Sequence, residues 1–192
     1  MDEKLKTLLL LNTLDGQGRK VWTALKRGRF SSDDLWRCEP RIFAELALTE
    51  KAVFALKTRI QRCWTEKEME KCSKLGIRTV GIEDEDYPAA LKDLKDPPLL
   101  LYWRGSEIRV PKRTLAVVGT RRASSYGRRT ANKIGEYCAL SGTALISGGA
   151  SGIDGSAHRG ALLSGGKTFA VFGTGVDVYF PASNEGLFEE MI

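Results

Sequence analysis

The chain has 192 residues, 42% of them hydrophobic, and a formal net charge of +6. This is apolar material enough for a packed core, arranged as one small and one larger domain. No apolar run approaches the roughly 18 residues of a membrane-spanning helix, and Leu8 to Leu11 is too short for a signal peptide, so the cytoplasm is the default location.

The four cysteines, Cys38, Cys63, Cys72 and Cys138, are scattered. That spacing suits reduced structural thiols rather than a zinc site or a disulfide scaffold. Positive charge is concentrated in two places. Residues 1–65 carry 13 Lys/Arg against 8 Asp/Glu, and residues 106–135 carry 8 against 1. Residues 66–105 (7 against 9) and 136–192 (2 against 6) are net acidic. A basic cluster suits a polyanion, because neutralising phosphates releases counterions, although such a stretch is also often a solvated face.

Residues 1–65 read as a small helical, SAM-like or helix-hairpin-helix domain. Leu5, Leu8 and Leu9, then Val21 and Leu25, recur at helical spacing, and Ser31-Ser32-Asp33-Asp34 offers an N-cap ahead of Leu35 and Trp36. Between the first two helices, Asp15-Gly16-Gln17-Gly18 followed by Arg19 and Lys20 fits either a phosphate-touching hairpin or an ordinary interhelical turn.

Residues 66–105 read as a connector that packs on the larger domain. It holds a charged helix from Glu66 to Leu75, a short strand from Ile77 to Gly81, and the proline-set segments Tyr87-Pro88 and Asp96-Pro97-Pro98 ahead of Leu99 to Trp103.

Residues 106–192 alternate strand and helix: strand Leu115 to Val118, helix Tyr126 to Leu140, strand Ala144 to Ile146, helix Ile153 to Leu163, strand Thr168 to Phe172, and a final helix from Glu185. Continuous apolar strands between amphipathic helices predict an α/β, Rossmann-like parallel sheet, covered on both faces and connected by right-handed crossovers. With three parallel strands the doubly wound sheet is incomplete, and the expectation is a truncated or fragmentary domain.

Each strand runs into a glycine-rich loop: Gly119-Thr120-Arg121-Arg122, then Ser147-Gly148-Gly149-Ala150-Ser151-Gly152, then Gly173-Thr174-Gly175. A parallel sheet puts all three on its carboxyl edge, where amides and helix N-termini meet anions. Arg121 and Arg122 add charge with the planar fork that suits phosphate. The dinucleotide fingerprint is absent from the first loop. Gly165-Gly166-Lys167-Thr168 leads into a strand instead of leaving one, so it reads as a helix C-terminal turn rather than an ATP-binding loop.

Catalytic candidates are few. His158 is the sole histidine, and Asp154 lies one helical turn before it. A triad with Ser147, Ser151 or Ser156 is open on sequence. A cap or dipole role for Asp154 and a packing role for His158 need no second feature and are preferred.

Val118-Gly119-Thr120-Arg121-Arg122-Ala123-Ser124-Ser125-Tyr126-Gly127 resembles the V-G-[ST]-R-x-x-S-x-Y-G signature of the DNA-processing protein A (DprA/Smf) family. Ser147 to Asp154, with Ala157-His158 and Gly160-Ala161-Leu162, is similar to that family's S-G-x-A-x-G-I-D-x-x-A-H-x-G-A-L motif. Gly175-Val176-Asp177, Tyr179, Pro181 and Asn184 resemble its G-V-D-x-x-Y-P-x-x-N segment, with Phe180 inserted. Upstream, Tyr87 to Leu91 and Asp96 to Tyr102 also fit. The resemblance implies a non-enzymatic, cytoplasmic protein that binds single-stranded DNA, protects it, and hands it to the RecA recombinase in natural transformation. It needs no cofactor or metal, and as a full-length protein it forms a homodimer.

It further implies that Arg121 and the glycine-loop amides cradle the DNA backbone. The phosphate-binding set is then Gly119, Thr120, Arg121, Arg122, Ser147, Gly148, Gly149, Gly152, Gly173 and Gly175. Ser124, Tyr126, Gly127, Asp154 and His158 support the motif. Family members continue with more strands and a later serine- and glycine-rich loop, and many add a winged helix.

Two other classes remain open from sequence. One is a Rossmann-like nucleotide hydrolase resembling the lysine-decarboxylase-like phosphoribohydrolases, whose P-G-G-x-G-T-x-x-E motif this chain lacks. The other is a nucleotide sensor without a nucleic-acid partner.

Overall fold

The computed structural model describes residues 2–105 and 109–192. They form two compact units, divided at Trp103/Arg104. The expected start of the Rossmann-like part, residue 106, lies outside the described residues. None of the described helices is long and apolar enough to cross a membrane.

The first unit holds α1 (Glu3–Asn12), α2 (Gly18–Lys26), α3 (Ser32–Trp36), α4 (Pro40–Glu45), α5 (Glu50–Gln61), α6 (Trp64–Lys74), β1 (Arg78–Gly81), α7 (Ala89–Lys92) and β2 (Leu100–Trp103). Helix α1 buries every residue from Thr7 to Leu11, so it is surrounded rather than amphipathic. Around it gather Leu14, Val21, Phe30, Leu35, Ile42, Leu56, Leu99 and Leu100. The proposed cap before Leu35 forms: the Ser31 hydroxyl accepts from the Asp34 amide, and the Asp34 carboxylate accepts from the Ser31 amide.

The segment read as a connector supplies part of this core. Strands β1 and β2 pair antiparallel, Arg78 opposite Trp103 and Gly81 opposite Leu100. Tyr87 donates its hydroxyl proton to the Pro98 carbonyl at 2.7 Å. Leu99 and Leu100 enter the cluster built around α1. Each fully buried leucine contributes about 1.5–3 kcal/mol, so Leu99 and Leu100 tie the end of this segment into the first unit.

The second unit is a three-stranded parallel sheet, β3 (Thr114–Ala116), β4 (Ala144–Ser147) and β5 (Thr168–Ala170), in that spatial order. Leu115 stands opposite Leu145, and Leu145 opposite Thr168. Helices α8 (Ser125–Leu140) and α9 (Ile153–Leu163) make the two crossovers. Val117, Leu145, Ala131, Cys138, Ala157 and Ala161 form one buried cluster between sheet and helices. A Cβ at Gly160 would collide with the Asn132 carbonyl, and one at Gly135 with the Ala157 carbonyl. Backbone therefore lies on backbone where α8 crosses α9.

Cover on both faces is not what the described residues show. Both crossovers step the same way along the sheet, and right-handed connections that step the same way put their helices on the same side. The alternate positions point to the other face, where Val118 and Val171 are 75% and 67% exposed. After β5 the chain closes with a short 3-10 turn (Ala182–Asn184) and α10 (Glu185–Glu190).

Candidate nucleic-acid interface

Parallel strand direction brings the three glycine loops to one edge of the sheet, and a set of buried ties holds them together. The Asp154 carboxylate, 5% exposed at the start of α9, accepts from the Gly119 amide at 3.3 Å and the Gly148 amide at 3.2 Å. It therefore bridges the first and second loops. Asp154 lies in the first turn of α9, the favourable end of the helix dipole, yet no side chain caps this helix; its N-cap is Gly152 at φ +86°. That conformation, together with the Thr120 and Arg121 carbonyls that a Cβ would strike, requires glycine there.

Ser147, 3% exposed, donates its hydroxyl to the Val117 carbonyl. The Asn184 amide donates to the Gly149 carbonyl at 3.0 Å and the Ala150 carbonyl at 3.3 Å, and accepts from Arg159 at 3.3 Å. Phe172, from the third loop, meets Phe188 edge-on at 4.8 Å between centroids. Asp154 and Asn184 thus brace the loops, and sequence reasoning assigned neither of them that part. For Asp154 the available signal was an acid at the start of a helix, just after a glycine-rich run. Asn184 lies more than thirty residues from the loop it supports, and only its motif position marked it.

What faces outward is basic. Thr120, Arg121, Arg122, Ser124, Tyr126, Arg128 and Arg129 are all exposed. Among the described residues no carboxylate lies within ion-pairing distance of Arg121 or Arg122. Loop one is ordered by its own polar groups: Thr120 Oγ1 accepts from the Arg122 amide at 3.1 Å, and Ser124 caps α8 by accepting from the Gly127 amide at 3.1 Å. Gly173, Thr174 and Gly175 are exposed on the third loop. The edge is an open ledge rather than a crevice, because strand order β3-β4-β5 contains no reversal.

Of the residues expected to meet phosphate, Thr120, Arg121, Arg122, Gly173 and Gly175 present exposed surface. Gly148 is exposed but commits its amide to Asp154, and so does Gly119. Gly149 and Gly152 are buried, as is Ser147. The last three therefore shape the loop from within. Tyr126 is 73% exposed.

His158 lies apart from this edge. It is fully buried, its Nδ1 is 2.7 Å from Thr168 Oγ1 at the start of β5, and Nε2 has no partner. Burial pulls its pKa down from 6.5 to about 4, with Asp154 opposing weakly. The imidazole is neutral at physiological pH. Ser156 Oγ donates to the Gly152 carbonyl at 2.8 Å. Neither Ser147 nor Ser156 aims at His158, so the geometry does not assemble a nucleophile-base pair from them.

Comparison with known proteins bears directly on these motifs. Residues 78–192 match the family described as DNA recombination-mediator protein A. The chain is 41% identical over 109 residues to the DNA processing protein DprA of Streptococcus pneumoniae, covering 56% of this chain and 38% of that protein. It is 31% identical over 140 residues to DprA of Bacillus subtilis, covering 71% and 47% respectively. It is 38% identical over 115 residues to Protein Smf of Synechocystis, covering 57% and 28%. The X-ray structure of DprA from Streptococcus pneumoniae superposes with a TM-score of 0.72 at 29% identity, over 98% of this chain and 64% of that one. The chain thus spans less than half the length of these three relatives. With the family model matching more than half of the chain, and with all three glycine-rich loops inside the matched region, this protein belongs to the DNA recombination-mediator protein A (DprA/Smf) family.

Proposed function

We propose that the chain binds single-stranded DNA without catalysis, protecting the strand and passing it to a RecA-type recombinase during transformation, in the cytoplasm and as part of a homodimer. The observation that carries this reading is the pair Arg121 and Arg122: exposed, without a carboxylate partner among the described residues, and set on a loop that Asp154 ties to the sheet edge. An arginine without an internal partner keeps its full charge and all its donors for an incoming phosphate. A pre-braced loop lowers the ordering cost of that contact. The open ledge suits a continuous strand better than an enclosed mononucleotide, and the basic run around loop one extends along the exposed side of α8 through Arg128, Arg129 and Lys133.

Fluorescence anisotropy with labelled oligothymidylate across a salt series tests the reading. The expected result is little sequence preference and a steep fall of affinity with salt. Salt-independent binding, or turnover of a mononucleotide in the same preparation, would overturn it.

A further inference from the structure

The first unit carries a second cluster of cations that the glycine-loop site does not use. A cavity of about 560 Å³ lies along one side of α2, and its lining includes Arg19, Lys20, Arg27, Arg29 and Lys95 against a single carboxylate, Asp96. Two of the five cations are engaged. Arg19 lies 3.7 Å from Asp96 and donates to the Lys95 carbonyl at 2.6 Å, and Arg29 pairs with Glu45 at 3.1 Å. Lys20, Arg27 and the Lys95 ammonium have no carboxylate within ion-pairing distance among the described residues. Elsewhere in the same unit lysines do find acids: Lys4 and Lys26 share Glu83, and Lys51 meets Asp15. Other cations of the unit, such as Arg37, Arg62 and Lys67, are also without a carboxylate partner among the described residues, but they lie outside the cavity; here three converge on one concavity, where low-dielectric walls focus their field.

Helix α2 adds to that field. Its N-cap, Gln17, makes no capping bond, because its side chain donates to Thr49 Oγ1 at 2.8 Å and accepts from the Thr49 amide at 2.9 Å. The positive end of the helix dipole is left without a side-chain acceptor, beside Gly16 in the cavity wall. The two glycines of the turn have a packing explanation of their own: Gly16 sits at φ +75°, and a Cβ at Gly18 would collide with the Leu11 carbonyl. The turn is thus explained by the contact of α1 with α2, and what remains unexplained is the charge.

We propose that this cavity is a phosphate-binding site for the backbone of a DNA strand, separate from the glycine-loop edge. That an anion belongs here follows from the cavity itself; the choice of DNA rests on the function proposed above. Lys20, in the first turn of α2, and Arg27, its C-cap residue, take the phosphate oxygens, and Lys95 lines the same cavity.

The full chain serves for the test. Lys20→Ala/Arg27→Ala is compared with Lys67→Ala/Lys74→Ala, which removes two charges from α6 outside the cavity, and with Arg121→Ala, each checked for folding by circular dichroism. With a long oligothymidylate, losing two single-strand phosphate contacts lowers the slope of log affinity against log salt by about 1.4. The cavity double variant should show that drop with affinity weakened about tenfold at low salt, and the α6 variant should show neither. Lysine acylation read by mass spectrometry should show Lys20 and Lys95 protected by oligothymidylate in the wild type. A cavity variant that binds like the α6 variant, with no protection of Lys20, overturns the site. If Arg121→Ala alone then abolishes binding, the function proposed above survives that failure. Protection by inorganic phosphate but not by oligothymidylate overturns the assignment to DNA. If Arg121→Ala binds normally while the cavity variant loses affinity, the cavity is upheld and the glycine-loop reading falls.

Discussion

The Asp154 carboxylate accepts a hydrogen bond from the Gly119 amide at 3.3 Å, joining residues 35 apart in sequence. Its other oxygen accepts from Gly148 at 3.2 Å, so one side chain ties two loops. Asp154→Ala leaves both amides without that acceptor and should cost about 2–4 kcal/mol, since hydrogen bonds to a charged group contribute more than neutral ones. Asp154→Asn keeps one acceptor and turns an NH2 group toward the second amide, so its cost should be intermediate. Urea midpoints at constant m-value measure this, and an Asp154→Ala chain as stable as the wild type would remove the brace from the account.

Arg121→Ala should weaken oligothymidylate binding about 10- to 100-fold, the equivalent of roughly 1.5–3 kcal/mol for a charged hydrogen bond. Arg113 immediately precedes β3, so it sits at the amino edge of the same sheet. Arg113→Ala removes the same charge and should cost less than about threefold, because the Debye length is only about 10 Å at 0.1 M salt. Anisotropy titrations of both variants decide between a positioned site and diffuse attraction; equal losses favour the latter.

Protonation of His158 should destabilise the second unit. Burial holds its pKa at about 4 in the folded chain against 6.5 when exposed, so the unfolded chain takes up the proton first. The stability that comes from a neutral imidazole is complete above pH 6.5 and declines as pH falls toward 4, by about 3 kcal/mol in all at 1.36 kcal/mol per pKa unit. His158→Gln should flatten the fall in stability between pH 6.5 and 4. Parallel curves for the two proteins would show that the imidazole does not titrate in this way.

Gly160→Ala should open the contact of α8 with α9, because the new methyl meets the Asn132 carbonyl. Overpacking of this kind costs about 1–3 kcal/mol. The same change at Gly186 in α10, where a Cβ would meet nothing within 4 Å, should be neutral or gain up to about 1 kcal/mol from helix propensity. Thermal unfolding of the two variants should move in opposite directions or differ clearly in size.

Much of the second unit was legible in the residues. Apolar runs such as Leu115 to Val118 and four-residue spacings such as Ile153, Ala157 and Ala161 are local patterns, set by strand and helix geometry. Glycine-rich loops after each strand, combined with the rule that parallel strands share a carboxyl edge, were enough to place Arg121 and Arg122 on one ledge. The local cap at Ser31 was legible for the same reason, since its partner Asp34 is three residues away.

Tertiary structure alone decided which polar groups look outward. Ser147 and Asp154 sit in motifs that read as ligand-facing or helix-capping, yet both turn inward to Val117, Gly119 and Gly148. A buried polar group must find a partner wherever the fold supplies one, and here the partners lie on neighbouring strands and loops. The same holds for Leu99 and Leu100, whose place in the first unit's core depends on α1, some ninety residues earlier. Sequence patterns report the period of one element; burial and hydrogen-bond satisfaction are settled between elements, through contacts that no local window contains.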